Sequence, residues 1–404
     1  MAGEPVTGEP VTGPVVGVVG GGQLARMLAE AATPLGIHVR VLAGAADEGA
    51  PEVVPDTVRG DLDDPAVLRS FARGVDVVTF DHENVDHEVL RALESEGVVV
   101  RPTVTTLSYS DKAHQRERFA AAGLPVPEFL VVVGGTVEDG DSARRFALDH
   151  GGEAVLKASR GGYDGRGVWV LVADDVGPFV ESWAGAPLVV EPRLDLVAEL
   201  AVLVARRPSG EVASWPVVQT VQVDGMCNEV LLPAPIDTEL EARAREVGEA
   251  VAAEVRATGV VAIELFVVDH DGGGAGGRGG SPGLLVNEIA PRVHNSGHLT
   301  IEASATSQFE QHLRAVLDWP LGPTDSLSAA AMVNVVGDGT HEPRRRQAAA
   351  LEAVPGAAIH LYGKSPRPDR KVGHVTVLGS DVAAARRDAT VAAEILSGVR
   401  GSGT

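Results

Sequence analysis

The chain has a single cysteine, Cys227. No disulfide can form within it, which excludes a cross-linked secreted scaffold and fits a reducing cytoplasm. In VDGMCNEV the thiol reads as a filler near a turn, not as a nucleophile. Aromatic residues are scarce, 4% of 404, so the core must rest on Val, Leu, Ile and Ala. Basic residues are outnumbered 34 to 56, for a formal charge of −22. A field of that sign repels nucleic acid and anionic membrane, so a phosphate ligand needs a local basic pocket. No uncharged apolar run reaches the ~18 residues of a membrane span. The opening MAGEPVTGEPVTGP repeats GEPVT and has neither the basic start nor the apolar run of a signal peptide; residues 1–13 are expected to be a disordered tail.

What the chain does have is a strand–helix rhythm. VVGVV at 15–19, HVRVL at 38–42, VDVVTF at 75–80 and GVVV at 97–100 read as strands. Helical spacing links Leu24, Leu28, Ala31 and Leu35 and returns in DHEVLRALESE. This alternation predicts a doubly wound parallel sheet, ending near AAGLPVP at 121–127. The following stretch reads as α+β. AVLKA (154–158) and GVWVLV (167–172) flank a glycine-rich loop, and APLVVEPRL (186–194) runs from a strand into a loop. From Glu199 come ELAVLVAR, EVASWPVVQTVQV, GVVAIELFVV and GLLVNEIA, with a helix over 237–257. The low-complexity run 269–283 reads as a flexible hairpin loop. From about 330, short strands and a final helix predict a small accessory domain.

Several stretches carry chemistry. Gly20, Gly22 and Ala25 fit a dinucleotide fingerprint loosely, but the first acid after the second strand, Asp47, comes late for a ribose. What remains is an anion site on backbone amides at a helix start, or a tight turn with no ligand. In KASRGGYDGRGVWV, Lys157 ends a strand and glycines give a loop able to close over a triphosphate, although no Walker pattern is present. Glu264 and Glu288 sit mid-strand among apolar residues. A hairpin with Val268 opposite Leu284 puts them face to face, which calls for a cation between them, with Asn287 as a further oxygen donor. The alternatives are one carboxylate in and one out, or a salt-bridged pair. Arg292, His294, Asn295, Ser296 and His298 crowd the next loop, where an Arg suits a phosphoryl or carboxylate transition state and His298 a supporting role. Lys364, Arg367, Arg370 and Lys371 form a basic loop, either solvated or a phosphate pocket.

Read in order, GGGQLARML, SDKAHQRERFAAAGLPVP, LKASRGGYDGRGVWV, VEPRLDLVAEL, GVVAIELFV, VNEIAPRVHNSGH, SQFEQHLRAVLDWPLG and GKSPRPDRKVGH resemble the ATP-grasp carboxylase-ligases, and among them the 5-(carboxyamino)imidazole ribonucleotide synthases of purine biosynthesis. The resemblance implies an α/β plus α+β chain: an N-terminal doubly wound, Rossmann-like pre-ATP-grasp domain (14–125), an ATP-grasp lid (126–195), a large subdomain with a Mg²⁺ site (196–328) and a small C-terminal domain (329–404). It implies that Lys112, Lys157 and the loop Gly162, Tyr163, Asp164, Gly165, Arg166, Gly167 bind ATP phosphates. Glu191, Pro192, Arg193 and Leu194 would meet the adenine and Glu199 the ribose. Gln222 stands where relatives often place a His near the nucleotide, and Lys112 where an Arg is common. Glu264 and Glu288 would hold two Mg²⁺ ions, with Asn287 beside the nucleotide. Arg292, with Tyr163 and Asp164, would be catalytic. Gln23, Leu24, Glu83, Tyr163, Asp164, Arg166, His294, Asn295, Lys364, Arg370 and Lys371 would bind aminoimidazole ribonucleotide.

The implied reaction phosphorylates bicarbonate with ATP to carboxyphosphate, then carboxylates the exocyclic amine of that substrate. The implied partners are these small molecules and a second copy of the chain, in the cytoplasm, with neither nucleic acid nor membrane. A formate-dependent glycinamide ribonucleotide transformylase of the same fold and a non-catalytic ATP-binding regulator are the alternatives. HNSGH speaks for the imidazole substrate, because the transformylase pattern has Asp-Thr after the His.

Overall fold

In the computed structural model the described residues are 13–162, 166–269 and 283–398. Tyr163, Asp164, Gly165, most of the 269–283 run and the expected tail up to residue 12 lie outside them. The chain divides into two compact units, Met1–Arg101 and Pro102–Thr404.

The first unit is built on four parallel strands in the order Thr57–Arg59, His38–Ala43, Val15–Val19, Val77–Phe80. Val16, Val18, Val41, Val77 and Val78 are buried, the pattern of a sheet covered on both faces. Helices Gln23–Ala32 and Pro65–Ala72 connect strands of this sheet, and His87–Ser95 follows the last; Asp64 and Asp86 accept N-terminal amides of the latter two helices. Two expectations change. The strand Thr57–Arg59 was not foreseen, and 97–100 is no strand: it contributes an isolated parallel bridge, Val78 to Val100. The unit also ends well before the expected boundary at 125. Tyr109 and Phe119, on either side of the start of helix Lys112–Ala121, pack into the core of the second unit with Val202, Val261 and Leu284.

The second unit has two antiparallel sheets. The smaller runs Leu130–Val132, Leu188–Pro192, Glu153–Ala158, Val168–Val172. One face, with Leu156, Leu188 and Val190, packs on helices Val137–Asp149 and Ala173–Ser182. The paired residues Lys157, Val168 and Val189 and the pair Val155–Glu191 take the other face.

The larger sheet has nine strands. Its path runs Gly283–Ala290, Gly259–Val268, Leu196–Arg206, Val218–Val223, Met226–Leu232, Ala329–Val336, Lys371–Gly379, Ala357–Leu361. Val212–Ser214 pairs separately with Leu196–Arg206. EVASWPVVQTVQV is therefore two strands, broken around Pro216, whose missing N–H cannot join a ladder. The strands after 329 continue this sheet through the pairing of Val230 with Met332, so no break in hydrogen bonding sets them apart.

Candidate active site

Strand Gly259–Val268 alternates. Val261, Ile263, Leu265 and Val267 pack with helix Thr238–Glu254 through Leu240, Ala244 and Val251. Glu264 and Phe266 take the opposite face, alongside Glu199, which pairs with Phe266. Glu264 does lie opposite Glu288. The tip register differs from expectation: Val268 pairs with Gly283, not Leu284, and the offset is absorbed where Leu265 pairs with Val286, leaving Asn287 without a counterpart. This is a β-bulge.

Both carboxylates face one side, so the arrangement with one turned away is excluded, and the second alternative holds for one of them: Lys112 Nζ donates to Glu288 Oε2. Burial would raise the Glu288 pKa, but the Lys112 cation overrides it and holds it below the usual carboxylate range. Burial would lower Lys112; Glu288 and Glu264 hold it above its ordinary value. Among the described residues no Lys or Arg forms an ion pair with Glu264. Burial, then the charges of Glu288 and Glu199, push it up to about 8. A carboxylate under that strain, beside a second one, fits a hard divalent cation. Among the described residues no three His, Cys, Asp or Glu side chains are arranged to hold a metal.

Lys157 Nζ donates to Asn287 Oδ1 at 2.9 Å and pairs with Glu191 Oε2 at 2.8 Å. Glu191 is 3% exposed and also accepts from Arg116 Nε at 2.6 Å. Burial alone would raise its pKa; Arg116 and Lys157 bring it down to about 2. Both Glu191 oxygens are thereby engaged within the protein. Arg193 turns to Glu153, 3.0 Å away. Glu199, raised by burial, accepts from Gln222 Nε2 at 3.3 Å, so the departure at Gln222 lies beside the expected ribose carboxylate. Arg160 donates to Asp111, which caps the helix carrying Lys112; Arg166 is exposed.

In the polar loop, His294 Nε2 lies 3.4 Å from Glu264 Oε1. Its backbone is clamped by buried Gln308, which accepts from His294 N at 2.9 Å and donates to His294 O at 2.7 Å. Gln308 also meets His298 Nδ1 at 3.0 Å. Asn295 is less available than expected: its amide exchanges two hydrogen bonds with Asn334, of 3.0 and 2.8 Å. Arg292 Nη1 donates to Val293 O. Lys364, Arg370 and Lys371 are half-buried, and the Lys371 charge acts on Glu264 and on His298.

The opening loop of the first unit departs from the anion-cradle expectation. Gly20 N donates to Leu42 O, Gly21 N to Asp47 Oδ2 at 2.9 Å and Gly22 N to Asp81 Oδ2 at 2.5 Å. The protein's own carboxylates take the Gly21 and Gly22 amides. The glycines make room for them, since a Cβ at Gly20 would lie 1.7 Å from Asp81 Oδ1. Leu24 is buried, while Gln23 and Glu83 are half-buried.

Three family models match the chain: a ribonucleotide synthetase preATP-grasp domain over 14–111, an ATP-grasp domain over 117–309 and a phosphoribosylaminoimidazole carboxylase C-terminal domain over 330–388. An N5-carboxyaminoimidazole ribonucleotide synthase of Mycobacterium tuberculosis is 46% identical over 393 residues, 95% of this chain and 88% of that one. This chain belongs to the N5-carboxyaminoimidazole ribonucleotide synthase family. The Corynebacterium ammoniagenes member is 43% identical, covering 95% of this chain and 92% of its own. Among solved structures, the Aspergillus clavatus synthase in complex with ADP and 5-aminoimidazole ribonucleotide superposes with a TM-score of 0.84 at 31% identity, over 96% of this chain and all of the other. The same enzyme has been solved with ATP.

The structure gathers Lys112, Lys157, Glu191, Asn287 and Glu288 into one network and sets Glu264 beside His294. Sequence reasoning missed Arg116, Gln308 and Asn334. Only Arg116 left a signal: it follows Lys112 by one helical turn, hence on the same face.

Proposed function

We propose that this chain carboxylates the exocyclic amine of 5-aminoimidazole ribonucleotide with bicarbonate and ATP, through carboxyphosphate, releasing ADP and phosphate. The observation that carries this reading is Glu264 facing Glu288 across the bulge, with Lys112 and Lys157 on one side and His294 on the other. Lys112, Lys157 and the loop from Gly162 to Gly167 neutralise and hold ATP phosphates; Glu199 and Gln222 hold the ribose; the backbone from Glu191 to Leu194 meets the adenine. Two Mg²⁺ ions at Glu264, Glu288 and Asn287 would supply charge neutralisation to the phosphoryl oxygens. Arg292 supports the charge that develops during transfer. His294, Arg166, Lys364, Arg370 and Lys371 orient the ribonucleotide, and Asn295 contributes by fixing its loop on Asn334. Gln23, Leu24 and Glu83, with Tyr163 and Asp164, keep the roles the family resemblance implies. The chain works as a cytoplasmic homodimer. Among the described residues no helix is long and apolar enough to cross a membrane.

The test is ADP release from MgATP and bicarbonate, with and without aminoimidazole ribonucleotide, beside glycinamide ribonucleotide plus formate. Release that depends on the imidazole substrate supports the reading. Turnover with the formate pair alone would replace the substrate assignment, and no ADP in either assay would leave an ATP-binding regulator. Arg292→Ala is expected to lower turnover by about 10²–10³-fold while ATP still binds; near-normal turnover removes Arg292 from the chemistry.

A further inference from the structure

Arg116 is 3% exposed, on the helix Lys112–Ala121, and all its nitrogens are directed. Nε donates to Glu191 Oε1 at 2.6 Å, Nη1 to Val286 O at 2.8 Å and Nη2 to Asn287 O at 2.8 Å. The last two contacts are unusual. In a regular strand successive carbonyls point to opposite edges, so one guanidinium cannot take both. Val286 already turns outward, with its N–H on Pro125 O. Asn287 is the bulge residue, and its carbonyl swings out to join that of Val286. The fork of Arg116 therefore clasps the bulge itself. The bulge sets Glu264 opposite Glu288 and aims the Asn287 amide at Lys157.

The same guanidinium shares Glu191 with Lys157. Two cations on one carboxylate leave one positive charge over. Without Arg116, Lys157 would be committed to Glu191 as an exclusive pair; with it, Lys157 keeps charge and one of its three donors for an anion.

We propose that Arg116 is a positioning residue for nucleotide and metal: its fork locks the Asn287 bulge that registers the two carboxylates, and its charge releases Lys157 toward phosphate. The inference rests on the nucleotide site proposed above. Its test uses the full chain and MgADP, whose binding needs neither bicarbonate nor the imidazole substrate. Arg116→Lys keeps the charge and loses the fork; Arg116→Met loses both. The double variant Arg116→Met/Glu191→Gln leaves no unpaired buried carboxylate, which guards against simple unfolding.

MgADP affinity, and its dependence on Mg²⁺, should fall by about 10–100-fold in Arg116→Met and by less in Arg116→Lys. The folded double variant should still bind MgADP about tenfold more weakly than Glu191→Gln alone. Equal affinity in those two would mean that Arg116 only balances Glu191, and the proposal falls. It falls equally if folded Arg116→Lys and Arg116→Met bind MgADP like the wild type. A wild-type chain that binds no MgADP overturns the nucleotide site and this inference together. A wild type that binds MgADP but does not turn over the imidazole substrate overturns only the substrate assignment.

Discussion

Burial and neighbouring carboxylates favour the protonated form of Glu264. Its pKa of about 8 in the folded chain lies above its ordinary 4.5, chiefly through burial and then through Glu288. A raised acid stabilises the fold fully below about pH 4.5 and loses that contribution as pH rises through 8. The cation-free protein should therefore weaken in mild alkali, and Mg²⁺ should restore it by binding only the folded state. Glu264→Gln keeps the shape without the charge. At pH 8.5 without Mg²⁺ it should melt about 2–4 °C above the wild type, the response to roughly 1 kcal/mol in a domain of this order. It should gain nothing from Mg²⁺ and lose turnover by at least about tenfold. A variant that melts with the wild type under those conditions would show that Glu264 ionises there without penalty.

Helix Gln308–Val316 shows how an element can support chemistry from behind. Gln308, Gln311 and His312 are fully buried. Gln311 exchanges two hydrogen bonds of 2.8 Å with Gly322, as Gln308 does with His294. His312 Nδ1 accepts the Val260 N–H at 3.0 Å. Gln311→Leu and Gln308→Leu should each cost about 2–4 kcal/mol, since each leaves a buried N–H and C=O unpaired. Only Gln308→Leu should also raise KM for the imidazole substrate, because it frees the backbone of His294; denaturant unfolding beside steady-state kinetics separates the two. None of these roles is legible in the sequence, since a polar residue bears no local mark of burial. The meeting of Glu264 with Glu288 is legible, because each is a lone carboxylate within an apolar strand and a short-range hairpin joins the two strands. The tip register is harder to read, since the bulge at Asn287 shows only as one core step of three, Val286 to Ile289, in place of two. Ala329–Val336 reads as a separate domain because its sheet partner, Met226–Leu232, lies far back in the chain.

For the molecule as a whole, acid is the weak side. Burial lowers His298 and His374 well below their ordinary value and His312 to about 4. Each binds its proton more readily in the unfolded chain, so stability drops as pH falls below about 6.5. Glu191, held at about 2 by Arg116 and Lys157 against its burial, adds a further loss below 4.5. The slope from Glu264 runs the other way, which places the stability maximum near pH 6–7, within the usual window. His312→Asn keeps an acceptor for Val260 and removes one titration. It should flatten the acid limb by up to about 1.4 kcal/mol per pH unit between 6.5 and 4. Denaturant titrations at pH 4.5, 5.5 and 6.5 measure this, and an unchanged slope would mean that His312 is already protonated in the fold.

The continuous nine-stranded sheet bears on how such a chain can be inherited. Recombination that cut near residue 329 would respect the match of the C-terminal family model, which begins at 330. It would also strip Ala329–Val336 from Met226–Leu232 and leave that strand's amides and carbonyls open to any passing chain. A gene so shortened would encode an aggregating product, not a smaller ligase. The C-terminal segment can be exchanged between relatives only for another that completes the same edge.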